Sequence, residues 1–461
     1  MTEPSLPATA PGTPGSPESR TVDRRRVAIA TVVGTTVEWY DYFIYASAAG
    51  LVFGQLFFKP AGEGVATILS FLTVGLSFLF RPLGAFLAGH FGDRFGRRVV
   101  LVVTLILMGS ATTLIGILPT YGQIGVAAPI LLIALRVLQG VSAGGEWGGA
   151  VLMAVEHAPR TRRGFFGAMP QIGVPIGLLL ASAMLGIMTW LFPGEAFLGW
   201  GWRIPFLFSI VLILVGYWVR RRVEESPVFA EIAARKERSS APIGRLFARF
   251  TPLVILAALV FAGNNAAGYM TTGGYVQNYA SDPHGPVGLD RGTVLWAVTA
   301  SSVTWLISTF VAGWLSDRIG RRTTYLIGWL AQAAALLALF PLVNSANGGL
   351  LALGLMLLTL GLGFTYGPQS AWYSELFPAS VRFSGVSISY ALGAVVGGAF
   401  APAIAAWLQQ QTGSSVSVTW YLIGMTAVGL VATLLLRDRP GIDLSPAAEE
   451  EQTRGLYAWQ R

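Results

Sequence analysis

The sequence predicts an all-α, polytopic membrane protein with twelve transmembrane helices in two six-helix bundles. Three observations carry that expectation. Only 54 of 461 residues are Asp, Glu, Lys or Arg, or 12%; a soluble globular chain has about one quarter. The apolar residues, 53% of the chain at a mean hydropathy of +0.60, are spread through recurrent uncharged runs and not gathered into one anchor. The two halves of the chain also repeat each other's motifs at a near-constant offset.

The elements follow in order. Residues 1–26 are polar, rich in Pro and Ser, and lack a signal-peptide pattern, so they are expected to form a disordered cytoplasmic tail. The first helix, 27–51, carries Glu38 and Asp41 inside an otherwise apolar stretch. Helices at 65–91 and 99–118 flank the basic segment GHFGDRFGRR, and 128–156 makes the fourth. The uncharged run 164–194 supplies the fifth helix, 165–191, and 203–222 the sixth. A charged linker, 223–250, containing SSAPIG, joins the halves. Beyond it the runs 250–281 and 292–316 supply helices at 251–280 and 292–316. The runs 323–374 and 383–436 hold 52 and 54 residues. Each fits two spans of roughly 20 residues. Turns at PLVNSANGG (341–349) and QQQTGSS (409–415) divide them into 323–342, 349–375, 383–409 and 417–437. Residues 438–461 form a second cytoplasmic tail. Runs this long and continuous argue for helices over alternating barrel strands.

Orientation follows from the basic residues. The loops on one side and the two tails hold 26 Lys and Arg, the opposite loops only Lys59, Arg203 and Arg291, and Arg81 and Arg136 fall within spans. Both termini are therefore expected in the cytoplasm of a cell-membrane protein. The net charge of +8 reads as this loop bias, not as nucleic-acid binding. With no Cys and three scattered His (His90, His157, His284), neither a metal site, a cofactor nor a catalytic centre is expected.

The repeat is specific. GHFGDRFGRR (89–98) recurs as GWLSDRIGRR (313–322), with six of ten positions identical. Glu156, Pro159 and Arg163 recur as Glu375, Pro378 and Arg382. Parallel repeats around a central path are a transporter architecture. The Gly-x-x-x-Asp-Arg-x-Gly-Arg-Arg loop, present in both halves, resembles the signature of the major facilitator superfamily. GTTVEWYDYFIYASAAGLVF (34–53), FLFRPLGAFLAGHFGDRFGRR (78–98), RVLQGVSAGGEWGGA (136–150), GWGWRIPFLFSIVL (199–212) and EESPVF (224–229) are similar to the metabolite:H⁺ symporter family, which includes shikimate, α-ketoglutarate, citrate and proline/betaine carriers. The resemblance implies the major facilitator fold and proton-driven uptake of a small metabolite by alternating access, in a chain working as a monomer within the bilayer. Drug or metabolite/H⁺ antiport on the same fold is the alternative. The tail after 437 is short and has no sustained heptad pattern, unlike the coiled-coil tails of osmosensory betaine members.

An ionisable group at a helix centre costs at least about 2.5–3.5 kcal/mol, so each one asks for a partner or a wet cavity. Glu38 and Asp41 share a helical face, with Tyr42 and Tyr45 continuing it. Asp41 lies about 21 Å from the cytoplasmic start of its helix, and Arg136 about 12 Å from the external start of its own. These depths are comparable, so the two could pair if spans one and four adjoin, as the resemblance implies, either for proton coupling or as a fixed salt bridge. The resemblance ties this arginine to proton coupling. Arg136 heads Arg-x-x-Gln-Gly, and the glycines after it permit close helix approach. Glu146 is either a second proton station or a partner for loop arginines. Arg81 either counters a substrate carboxylate or pairs with Glu38 or Glu146. Polar groups on spans one, seven and ten, which line the cavity in the resembling fold, namely Tyr45, Asn264, Asn265, Tyr366 and Gln369, are candidates for substrate contact alongside Gln171 in span five, Arg81 and Arg136. Asp93, Arg94, Arg97, Arg98, Glu156 and Arg163, with Asp317, Arg318, Arg321, Arg322, Glu375 and Arg382, form either a cytoplasmic gate or static helix caps.

Overall fold

The computed structural model describes residues 17–95, 97–144, 146–221, 242–272 and 274–460. Among them the regular structure is helical, with one isolated antiparallel bridge between Leu436 and Tyr457. Twelve helical rods cross in succession. Span 1 is Pro17–Ala48 continued by a π-helical turn, Ala49–Phe53. Spans 2 and 3 are Glu63–Phe95 and Arg97–Ile117. Span 4 is Ala127–Ser142 followed by Glu146–Glu156, and spans 5 and 6 are Arg163–Leu191 and Arg203–Arg221. Span 7 is Pro242–Thr272 followed by Tyr275–Ser281. Spans 8 and 9 are Arg291–Ile319 and Arg321–Val343. Span 10 is Gly348–Tyr366 plus Gln369–Leu376. Span 11 is Arg382–Gly393, a π-helical segment Ala394–Ala399, and Ala401–Thr412; span 12 is Ser415–Leu435. Ten rods among the described residues are long and apolar enough to cross a membrane. Span 1 carries the two carboxylates, and the apolar stretch of span 3 is the shorter Val103–Ile117.

The turns on one side of the rods obey local chemistry. Asp290 caps span 8 through the Thr293 amide, Asn347 caps span 10 through Gly349 and Leu350, and Ser414 caps span 12 through Val416. Large apolar side chains point outward along the rods. Trp190 (78% exposed), Trp200 and Trp420 near one set of helix ends fit the aromatic belt of a membrane interface.

Span 5 packs along span 8, and span 2 along span 11. Advancing each member by half the chain converts one pair into the other, so the repeat is also a contact symmetry.

Two domain expectations are corrected. Residues 17–26 belong to the first helix and not to a disordered tail. The linker ends by 241, because Pro242 opens span 7 and the chain kinks at Phe250; Pro is favourable in a first helical turn. Residues 437–460 are packed against the ends of both bundles. Gln452, 1% exposed, accepts from Arg382 and the Ala379 amide and donates to the carbonyls of Asp443 and Ser445.

Candidate functional site

The first bundle holds the membrane charges. Asp41, 1% exposed, accepts a 2.6 Å hydrogen bond from Ser209 on span 6, and Thr112 on span 3 stands beside its carboxyl. Among the described residues no cation reaches it within ion-pair distance. The direct pair with Arg136 is therefore not formed. Equal depth does not bring two helix faces together, and the guanidinium turns to span 2 instead. Arg136 donates from Nε to the Thr73 carbonyl (3.3 Å), from Nη2 to the Val74 carbonyl (3.2 Å) and from Nη1 to Gln139 Oε1 (2.9 Å). Tyr45 lies over it, its ring centroid 4.0 Å away, and donates its own hydroxyl to Thr73 at 2.7 Å. The close approach comes from Gly140, where a Cβ would sit 2.5 Å from the Ser77 carbonyl oxygen. With no side chain there, spans 4 and 2 touch backbone to backbone.

Glu38 does have a cation. Arg81 Nη2 lies 3.6 Å from its Oε1, and the guanidinium is sandwiched near the rings of Phe78 (4.6 Å) and Trp39 (5.4 Å). Of the sequence-stated alternatives for Arg81, the pairing with Glu38 is the one formed.

Glu38 and Arg81 are also charged neighbours of Tyr366 and Tyr390 across the bundle interface. There a small cavity, with about 10 Å³ of free space, is lined by Trp39, Phe43, Phe261, Trp305, Tyr366 and Tyr390, together with Asn264 and Asn265. Three expected substrate residues, Asn264, Asn265 and Tyr366, line it. Gln171 stands just below, donating to the Tyr366 carbonyl and to Gln369 Oε1 (3.3 Å each). Tyr45, Arg81, Arg136 and Gln369 lie outside the lining of this cavity. The other aromatic walls, Trp39, Phe43, Phe261, Trp305 and Tyr390, were missed. In an apolar helix nothing in composition separates a cavity-facing ring from a lipid-facing one, and only the Glu38–Trp39 adjacency offered a signal.

The cavity is shut on both sides. On the side of the repeated Arg-rich loops, Trp147 of span 4 stacks on Tyr390 of span 11 with centroids 3.6 Å apart. Below them the repeated Glu and Arg pair crosswise: Arg163 of the first half meets Glu375 of the second (3.6 Å), and Arg382 of the second meets Glu156 of the first (3.3 Å). Asp317 accepts from the amides of Gly164 (2.7 Å) and Phe165 (2.8 Å) at the start of span 5, and from Arg321 (2.8 Å). Arg321 completes a fork on Glu375 at 3.1 and 3.2 Å. The tail seals this layer. Arg163 donates to the Ile442 carbonyl, Arg160 pairs with Asp443, and Arg439 reaches the Glu375 and Leu376 carbonyls. Burial pushes the Arg439 guanidinium down to about 10, with Glu375 opposing. Hydrogen bonds from Ser445 hold Asp443 below the usual carboxylate value.

Two gate assignments are corrected. Arg318 lies over the Trp314 ring at 3.7 Å on an exposed face, and Arg322 donates to Leu434 at the end of span 12 within its own half. The side chains of Asp93, Arg94, Arg97, Arg98 and Glu146 lie outside the described residues.

On the opposite side, Gly50 meets Gly274 and Asn278 donates to the Gly50 carbonyl at 2.9 Å, while Gly75 meets Ala399. A Cβ at Gly50 would lie 2.4 Å from the Gly274 oxygen. Gly50→Ala is therefore expected to hold spans 1 and 7 apart and slow solute exchange about tenfold, the factor matching an overpacking cost of ~1.4 kcal/mol. Counterflow in proteoliposomes measures this, and wild-type rates would show that the contact is dispensable.

The comparisons with known proteins agree with this geometry. A family model described as "Sugar (and other) transporter" matches residues 27–247, and one described as "Major Facilitator Superfamily" matches 284–461. The inner membrane metabolite transport protein YhjE of Escherichia coli is 40% identical over 90% of this chain and 94% of its own. The shikimate transporter of Escherichia coli is 36% identical over the same shares. The solved structure of the proton:xylose symporter XylE bound to 6-bromo-6-deoxy-D-glucose superposes with a TM-score of 0.71 at 18% identity, covering 92% of this chain and 98% of its own. A partially occluded, inward-open form of the same Escherichia coli xylose transporter gives 0.70 at 17%, covering 92% and 100%.

Proposed function

The chain belongs to the major facilitator superfamily as a multi-pass membrane transporter, and from that premise we propose that it carries a small carboxylate-bearing metabolite inward together with a proton. The observation that carries the reading is the state of Arg81. Its ion pair with Glu38 is 3.6 Å long, well beyond a charge-assisted hydrogen bond of about 2.7–2.9 Å. Its buried Nε has no hydrogen-bond partner. A planar fork held loosely beside a cavity suits exchange of Glu38 for a solute carboxylate. The amides of Asn264 and Asn265 supply hydrogen bonds, and the ring walls favour a solute with a flat or cyclic body. A hydroxylated ring acid, such as the one in the name of the shikimate-transporting relative, fits this description. Asp41 is the proton carrier in this reading: an uncompensated charge is expensive at that depth, and a proton cancels it. The two halves of one chain enclose the whole cavity, so the working unit is the monomer, with both termini cytoplasmic.

The test is thermal-shift screening of purified protein against shikimate, dicarboxylates, citrate, aromatic acids and betaines. A carboxylate at 100 times its dissociation constant should add about 2.7 kcal/mol of stability, and Arg81→Gln should abolish that shift. Stabilisation only by a cation lacking an acidic group would overturn the substrate class.

A further inference from the structure

Asp41 and Arg136 are separate, yet two side chains join them. Arg136 Nη1 donates to Gln139 Oε1 at 2.9 Å. Gln139 Nε2 donates to Thr112 Oγ1 at 2.7 Å. Thr112 stands against the Asp41 carboxyl and places its own proton on the Met108 carbonyl at 3.0 Å. All four side chains are buried, at 4% exposure or less. The amide has one workable orientation, because a flip would turn its NH₂ onto the guanidinium donors and its carbonyl onto the wrong side of the hydroxyl. The Thr112 hydroxyl has one proton and two places for it: Met108, or Asp41 when that carboxyl is an anion.

The far end of this chain touches the bundle interface. Arg136 grips the carbonyls of Thr73 and Val74, and the next residue, Gly75, abuts the Ala399 carbonyl of span 11, where a Cβ would lie 2.3 Å away. We infer that Gln139 and Thr112 are positioning residues that transmit the charge state of Asp41, through Arg136, to the contact between spans 2 and 11. This rests on the reading of Asp41 as the proton carrier. The titratable groups that act on Asp41 are Glu38 and Tyr40, both on its own span. Spans 3 and 6 meet it with the hydroxyls of Thr112 and Ser209. Span 5 meets span 1 through Gly173 and Gly177.

The test needs no solute. The native chain has no cysteine, and Ser387 on span 11 is packed against Gly148 of the opposite half, so Ser387→Cys reports cytoplasmic opening. N-ethylmaleimide labelling of the full chain in lipid is followed from acid to neutral pH, each rate divided by that of the same thiol after denaturation. The parent rate should change at least about fivefold, the low end of ordinary site-to-site coupling. Asp41→Asn, Gln139→Leu and Thr112→Val should each flatten the profile, and Thr112→Ser should restore it. Purely structural roles would alter the rate without removing its pH dependence. If Gln139→Leu and Thr112→Val keep the parent profile while Asp41→Asn is flat, the relay is wrong and the carrier stands. If Asp41→Asn keeps the parent profile, or the parent is flat, the carrier assignment itself falls, and the relay with it.

Discussion

Asp41→Asn is expected to abolish proton-driven accumulation while leaving the protein folded, inserted and able to exchange solute. Asparagine keeps the shape of the side chain and an oxygen for the Ser209 hydroxyl, which now donates at 2.6 Å. It removes the only property that the surroundings leave uncompensated, the charge. Among the described residues Glu38 has Arg81, Glu156 has Arg382, Glu375 has Arg163 and Arg321, and Asp317 has Arg321. Asp41 has hydroxyls. A carboxyl held by hydroxyls is accommodated both as anion and as acid, which a proton carrier requires and a structural salt bridge does not. Uphill uptake into proteoliposomes with an imposed pH gradient should fall to background. Counterflow, which moves no net proton, should remain within a few-fold of wild type. Accumulation at wild-type level would remove Asp41 from the coupling step and direct attention to the Glu38–Arg81 pair.

Much of the architecture was legible in the sequence because membranes impose one-dimensional rules. Span length follows hydrocarbon thickness, which can be counted along a string. The repeat likewise marked Glu156, Arg163, Glu375 and Arg382 as a set. It could not say who pairs with whom: equal offsets establish equivalence, and the observed pairs are crosswise between halves. Arg136 shows the same limit. Depth arithmetic placed it level with Asp41, but azimuth decides contact, and azimuth here is set by Gly140 letting span 4 lie against the backbone of span 2. The polar tail was harder still. Gln452 looks like any exposed polar residue in sequence, and only the unsatisfied groups it serves, Arg382 and the Ala379 amide, explain its burial.

The crosswise pairs tie the two halves together across the layer of the repeated loops. Glu375 is buried with two guanidinium groups, Arg321 from its own half and Arg163 from the other. Removing one member of a buried ion cluster costs about 3–5 kcal/mol, because the remaining charges stay buried and uncompensated. For Glu375→Gln part of that cost falls on the second bundle itself and lowers its stability. The rest falls on the closed cytoplasmic layer alone, since Arg163 departs with the first half on opening. Asp317→Asn separates these contributions. Its bonds to the Gly164 and Phe165 amides cross the interface and cap span 5 of the opposite half, and an asparagine oxygen replaces at best one of them without charge. Both variants are expected to speed maleimide labelling of Ser387→Cys at least about tenfold, the equivalent of ~1.4 kcal/mol off the closed state. Solute binding from the external side should weaken in parallel, because the outward-facing form depends on this layer staying shut. Normal expression with unchanged labelling in both variants would mean that the crosswise network caps helix ends and does not gate the path.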